Sequence, residues 1–134
     1  MQLKYWGISV ALLLPMHAKA VGYSSEYISC VNSGSNAFSS CAKDEFKYQD
    51  DRLEALFKKT LVVYSDKDKK VQNKYQKQWL KQRDKRCGED NKSVSDAYKS
   101  KYYLCALKDT VNRANTLEKL SFRYDASTYF TKRR

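Results

Sequence analysis

Histidine, proline and methionine are almost missing from this chain. One histidine, one proline and two methionines occur in 134 residues, and all four (Met1, Pro15, Met16, His17) precede residue 21. Without an imidazole beyond that point, Ser-His and Cys-His nucleophilic machinery is excluded, as are His-ligated zinc and imidazole acid–base chemistry. Without proline, a long helix can run uninterrupted. Glycine is scarce too, four in all, which argues against a β-sandwich with a turn every few residues. The length allows one domain, rules out a TIM barrel and leaves little room for a dinucleotide-binding fold. Long apolar runs are also missing. The one apolar stretch, Ile8 to Leu14, falls far short of the ~20 residues that a membrane span needs.

That stretch belongs to a targeting pattern. Residues 1–20 offer a positive start at Lys4, an apolar centre broken by Pro15, and a small-x-small cleavage signal, Ala18-Lys19-Ala20. A signal peptide is the expectation, with an uncut membrane anchor as the alternative. No cysteine stands directly after the cleavage point, the first being Cys30, so a lipid anchor is not supported. The expected product, residues 21–134, has 24 basic and 15 acidic residues, a net charge of +9, and Trp79 as its single tryptophan. The expected location is periplasmic or secreted.

What the chain does have is cysteine in an even number: Cys30, Cys41, Cys87 and Cys105. In an exported protein that reads as two disulfides. The intervals of 10, 45 and 17 intervening residues contain no C-x2-C zinc knuckle, and neither a metal nor a cofactor is implied. Local pairing, Cys30–Cys41 and Cys87–Cys105, suits the chain best, and two other connectivities stay open.

From about residue 36 to 124 the pattern is helical. Phe38, Ala42, Phe46, Leu53, Leu56, Phe57 and Tyr64 form a first stripe, with Ser35 or Asn36 as cap. Ser65 and Asp68 make a capping signal for a second helix, with Val71, Tyr75 and Trp79 on its apolar side and Gly88 as its stop. Ser93 and Asp96 repeat the signal for a third, through Tyr98, Tyr102, Cys105, Val111, Ala114, Leu117 and Leu120. That stripe fades near Tyr124, and 125–134 reads as a flexible basic tail, extended or disordered. The expected fold is all-α, a single antiparallel three-helix domain with two disulfides.

Charge is unevenly spread. Residues 21–65 carry five basic and six acidic side chains, 66–92 ten and five, and 93–134 nine and four. Lys67, Lys70, Lys74, Lys77, Lys81 and Lys85 fall within about an 80° sector of one helix, a solvated face or a surface for an anionic partner. Nucleic acid is not expected for an exported protein. Asp44, Glu45, Asp50, Asp51 and Glu54 cluster on the first helix. A glycosidase needs two carboxyls facing across a cleft, so this cluster reads as a docking strip for Lys or Arg. The chain therefore reads as a binding protein and not an enzyme. Trp79 with Arg83 reads as core packing with a partly buried Arg paired to a carboxylate of another helix. The same holds for Gln76 and Arg113. An aromatic anchor with an arginine fork is the functional alternative.

Three segments carry a family resemblance. They are Tyr27-x2-Cys30 followed after ten residues by Cys41, then Gln76-x2-Trp79-Leu80-x2-Arg83-Asp84-x2-Cys87, then Cys105-x4-Thr110-x2-Arg113-x3-Leu117. Over about residues 27–120 the chain resembles the LprI-like lysozyme-inhibitor family of small exported bacterial proteins. The resemblance implies an all-helical, disulfide-bonded fold and inhibition of lysozyme. Leu53-Glu54 and Phe57 depart from the Leu-Asn and Tyr expected there, and the lipidation cysteine of the family's namesake has no counterpart. An inhibitor would obstruct the muramidase cleft. The candidates for that contact are the 88–97 turn, with Lys92 and Tyr98, and the basic patch of Lys81, Arg83 and Arg86. A basic chain is repelled at long range by basic lysozymes. The alternative is therefore an immunity or accessory protein for an acidic toxin, or a binder of an anionic envelope polymer.

Overall fold

The structure, a computed structural model, describes residues 22–34, 38–89 and 95–131, with the backbone alone at 38–39, 98 and 124–131. Four helices account for nearly all of them: α1 (Ser25–Asn32), α2 (Phe38–Leu61), α3 (Asp66–Cys87) and α4 (Asp96–Thr131). No strand occurs among the described residues.

α2 and α4 make the core. One apolar cluster joins Leu53 and Phe57 of α2 to Ala114 and Leu117 of α4, with Leu56, Leu61, Trp79 and Leu80 packed against it. A second joins Ala42 to Leu107 and Val111 under Tyr23, Tyr27, Phe46 and Tyr103. Each fully buried leucine here, Leu53 or Leu107, contributes roughly 2 kcal/mol by leaving water. Partners follow the same order along both helices, so α2 and α4 run in one direction. α3 runs the other way: Asp84 meets Tyr102, Arg83 meets Thr110, and Gln76 meets Arg113. It is the return leg between the two core helices.

The capping signals act where α3 begins and ends. Ser65 takes the N-cap and its hydroxyl accepts the Asp68 N–H. Gly88 closes the helix at φ 82°, ψ 46°, a left-handed conformation that costs glycine little, and its N–H returns to the carbonyls of Asp84 and Lys85. The disulfides are Cys30–Cys41 and Cys87–Cys105, with Cα–Cα separations of 5.9 and 5.5 Å. The first ties α1 to the start of α2, and the second ties the end of α3 to α4.

Several sequence expectations are corrected. Helices number four, not three, because residues 25–32 form a helix of their own. Its N-cap, Ser24, is held by the buried Glu45, whose carboxylate accepts from the Ser24 N–H at 2.9 Å and from its hydroxyl. α2 stops at Leu61, so Val62, Val63 and Tyr64 form an exposed turn and not a last helical rung. α4 continues to Thr131, past Tyr124, since no glycine or proline interrupts 125–131 and backbone hydrogen bonding needs no apolar stripe. On α3, Val71 and Tyr75 are 42% and 59% exposed, so the inward face is a neighbouring one formed by Gln76, Trp79, Leu80 and Arg83. The signal peptide, the Ser35 or Asn36 cap, Ser93 and residues 132–134 lie outside the described residues.

Candidate functional site

α3 is an unusual helix to find docked. Its two buried residues are Gln76 and Arg83, 6% and 4% exposed. A helix with so little apolar surface is held only if its inward polar groups find partners, and both of these do. Arg83 Nη1 donates to Asp50 of α2 at 2.7 Å and to the Thr110 hydroxyl of α4 at 2.9 Å, while Nε donates to Asp84 at 2.9 Å. Tyr102 donates to the same Asp84 oxygen at 2.8 Å. Thr110 in turn donates to the Ala106 carbonyl one turn back. Burial alone would lower the Arg83 pKa; hydrogen bonds and charge from Asp50 and Asp84 outweigh it and leave the pKa raised.

Trp79 lies between this network and a second one. The guanidinium carbons of Arg83 and Arg113 are each 5.6 Å from the Trp79 ring centroid, and that of Arg83 is 5.0 Å from Phe46. Such cation–π contacts are worth about 0.5–2 kcal/mol, more where water is excluded. Arg113 donates through Nη2 and Nε to the Gln76 side-chain carbonyl at 3.1 and 3.3 Å. Gln76, Trp79, Arg83, Asp84, Thr110 and Arg113 thus form one connected seam between α3 and α4, bolted to α2 by Asp50.

The residues singled out for partner contact are divided. Arg83 is interior and fully engaged. Arg86 is exposed and bridges to Asp109 through Nη2 at 2.5 Å. Lys81 is exposed on the outer face of α3. Lys92 lies outside the described residues, and Tyr98 belongs to α4 by its backbone. The six lysines of the stripe are all exposed.

Three carboxylates of α2, Glu45, Asp50 and Glu54, have partners. Asp50 receives Arg83, and Glu54 pairs with Lys58, which holds the Glu54 carboxyl below its ordinary value. Cys87, Cys105 and Asp109 draw together within 4.8 Å, but both sulfurs are spent in the disulfide and Arg86 holds the carboxylate. The arrangement positions helices and offers surfaces.

Sequence reasoning missed a second polar network near the seam. Gln49, fully buried, donates to Glu45 at 2.7 Å and to the Gly22 carbonyl at 2.6 Å, and Arg52 links Gln49 to Asn115 and Glu118. The available signal was spacing: Glu45, Gln49 and Leu53 step by four on the same side as Ala42. Also missed was an apolar recess of about 760 Å³, lined by Phe57, Val62, Val63, Tyr64, Leu117 and Leu120, where the α2–α3 turn leaves α4. No described helix is long and apolar enough to cross a membrane.

The family model described as "Lysozyme inhibitor LprI" matches residues 30–117, a span that takes in all four cysteines and every residue of the seam. No curated protein and no solved structure matches the chain. With two thirds of its length under that model, both disulfides formed and an all-helical fold, the chain belongs to the LprI lysozyme-inhibitor family.

Proposed function

We propose that this is an exported, non-enzymatic protein that binds a lysozyme and obstructs its muramidase cleft. The family match over 30–117 carries the reading. Two disulfides support a destination in an oxidising compartment, periplasmic or extracellular, with residues 1–20 as the removed signal. The contact surface is the end where α3 passes into α4, with Lys81 and Arg86 on α3 and Lys92 and Tyr98 beyond Gly88. A cleft holding two acidic catalytic groups attracts a basic side chain presented there. Arg83 and Trp79 serve this surface indirectly, by fixing how α3 lies on α4.

The charge of the chain adds a condition. A net +9 over residues 21–134 slows association with a basic lysozyme at low salt, and added salt relieves this. The test is clearing of a bacterial cell-wall suspension by lysozymes of different charge, with and without purified residues 21–134. Slower clearing, strongest for the less basic lysozymes, is expected, and Lys92→Glu with Arg86→Glu should weaken it. Undiminished clearing by every lysozyme overturns the reading. The exposed lysine row of α3 favours a second one, an immunity or accessory protein for an acidic toxin, which the same preparation tests by capture of acidic periplasmic proteins.

A further inference from the structure

We infer that the outer face of α3 is a binding strip for a linear phosphodiester polymer of the cell envelope, a glycan or polyol chain bearing regularly spaced phosphates. Lys67, Lys70, Lys74, Lys77, Lys81 and Lys85 are exposed along one helix, and the eighteen steps from first to last span about 27 Å. None of the six has an ion-pair partner among the described residues. Lys58, Lys69 and Lys99, by contrast, each pair with an acid on their own helix. Neighbours in the row stand three or four residues apart, where like charges repel. An extended polyanion laid along the helix relieves that repulsion and releases its own counterions.

The composition of the strip selects among polyanions. Lys70, Asn73, Lys74, Lys77, Gln78 and Lys81 line a shallow trough. It contains no aromatic ring on which a nucleobase could stack. It contains no aliphatic side chain to enter a bilayer, as an interfacial helix requires. Lysine ammonium groups with amide donors between them suit phosphates and hydroxyls on a chain without bases. The single-file arrangement on one helix suits a strand better than a plane. The strip lies on the side of α3 away from Gln76 and Arg83, so it is separate from the seam, and the inference does not depend on lysozyme inhibition.

The test uses purified residues 21–134 and a fluorescent poly(glycerol phosphate) oligomer, followed by anisotropy. With three or four phosphates neutralised, affinity should fall roughly 20- to 50-fold between about 50 and 200 mM salt. Lys70→Gln with Lys74→Gln and Lys77→Gln should weaken binding roughly tenfold or more and lower the slope of log affinity against log salt by about 2. Lys43→Gln with Lys47→Gln and Lys101→Gln removes the same charge elsewhere on exposed positions and should change affinity far less. Circular dichroism of both variants checks that the helices persist. Equal losses in the two variants would show a net-charge effect and overturn the strip. Tighter binding to single-stranded DNA of equal phosphate number, or to anionic phospholipid vesicles, would overturn the choice of polymer. Absence of binding to the oligomer at low salt overturns the inference altogether.

Discussion

Arg83 joins three helices through one guanidinium: Asp50 on α2, Asp84 on its own helix and Thr110 on α4. The planar fork matters, because Nε and Nη1 donate from separate, rigidly spaced nitrogens, whereas an ammonium offers all its donors from one. Arg83→Ala is expected to cost about 2–4 kcal/mol, the loss of charge-assisted hydrogen bonds and of packing under Trp79 and Phe46. Arg83→Lys should recover only part of it. Urea unfolding followed by circular dichroism reads both, and a cost below about 0.5 kcal/mol for the alanine variant would contradict the role assigned to it. Beside α1, burial first holds the phenols of Tyr23 and Tyr27 above the ordinary 10.0, helped by the charge of Glu45 at Tyr23, and by Tyr23 and then Glu45 at Tyr27. A folded pKa above the unfolded one gives stability that is present below about pH 10 and lost as pH rises through the folded values. Thermal unfolding should therefore shift to lower temperature from about pH 9 to about pH 11, and Tyr23→Phe with Tyr27→Phe should flatten that decline.

Among the elements, α3 is the one held by polar fittings. Its apolar contribution rests on the half-buried Trp79 and Leu80, while α2 and α4 carry the buried leucines and Phe57. Its own lysine neighbours repel, each pair costing about 0.2–0.5 kcal/mol. The Cys87–Cys105 bridge, closing a separation of 18 residues, is worth about 3 kcal/mol by loop entropy. Cys87→Ser with Cys105→Ser should therefore speed amide exchange over 66–87 more than over the α2–α4 core, and uniform protection across all helices would contradict this. Ser65→Ala should cost about 1 kcal/mol, since it removes the acceptor for the Asp68 N–H. The caps of α3 were legible because capping chemistry is local: Ser65 and Gly88 act through their immediate neighbours. Its inward face was legible in part. Arg83 and Gln76 face inward as their reading as paired core residues had it, held by Asp50, Thr110 and Arg113 of other helices, but Val71 and Tyr75, the apolar choice on a helix viewed alone, are exposed.

At the scale of the whole molecule, a core built mainly by two helices has little margin. Reducing both disulfides should unfold the protein at 37 °C, read as loss of far-ultraviolet helical signal, because removing even one such bridge from a small domain costs about 2–5 kcal/mol. The division of labour is spatial: one seam fixes the helices, while positive charge gathers on α3, with nine basic and three acidic side chains. The sequence by itself determined the composition-level facts. No imidazole is present past residue 17, the cysteines lie close enough in pairs for local bridges, and the periodicity is helical with few breakers. Those follow from residue identity and short-range spacing. Only the tertiary structure decided that residues 25–32 form a separate helix held by Glu45, and that the partners of the interior Arg83 are Asp50, Asp84 and Thr110. Each of these depends on which group stands opposite across the fold, and a buried charge or amide takes its meaning from that distant partner.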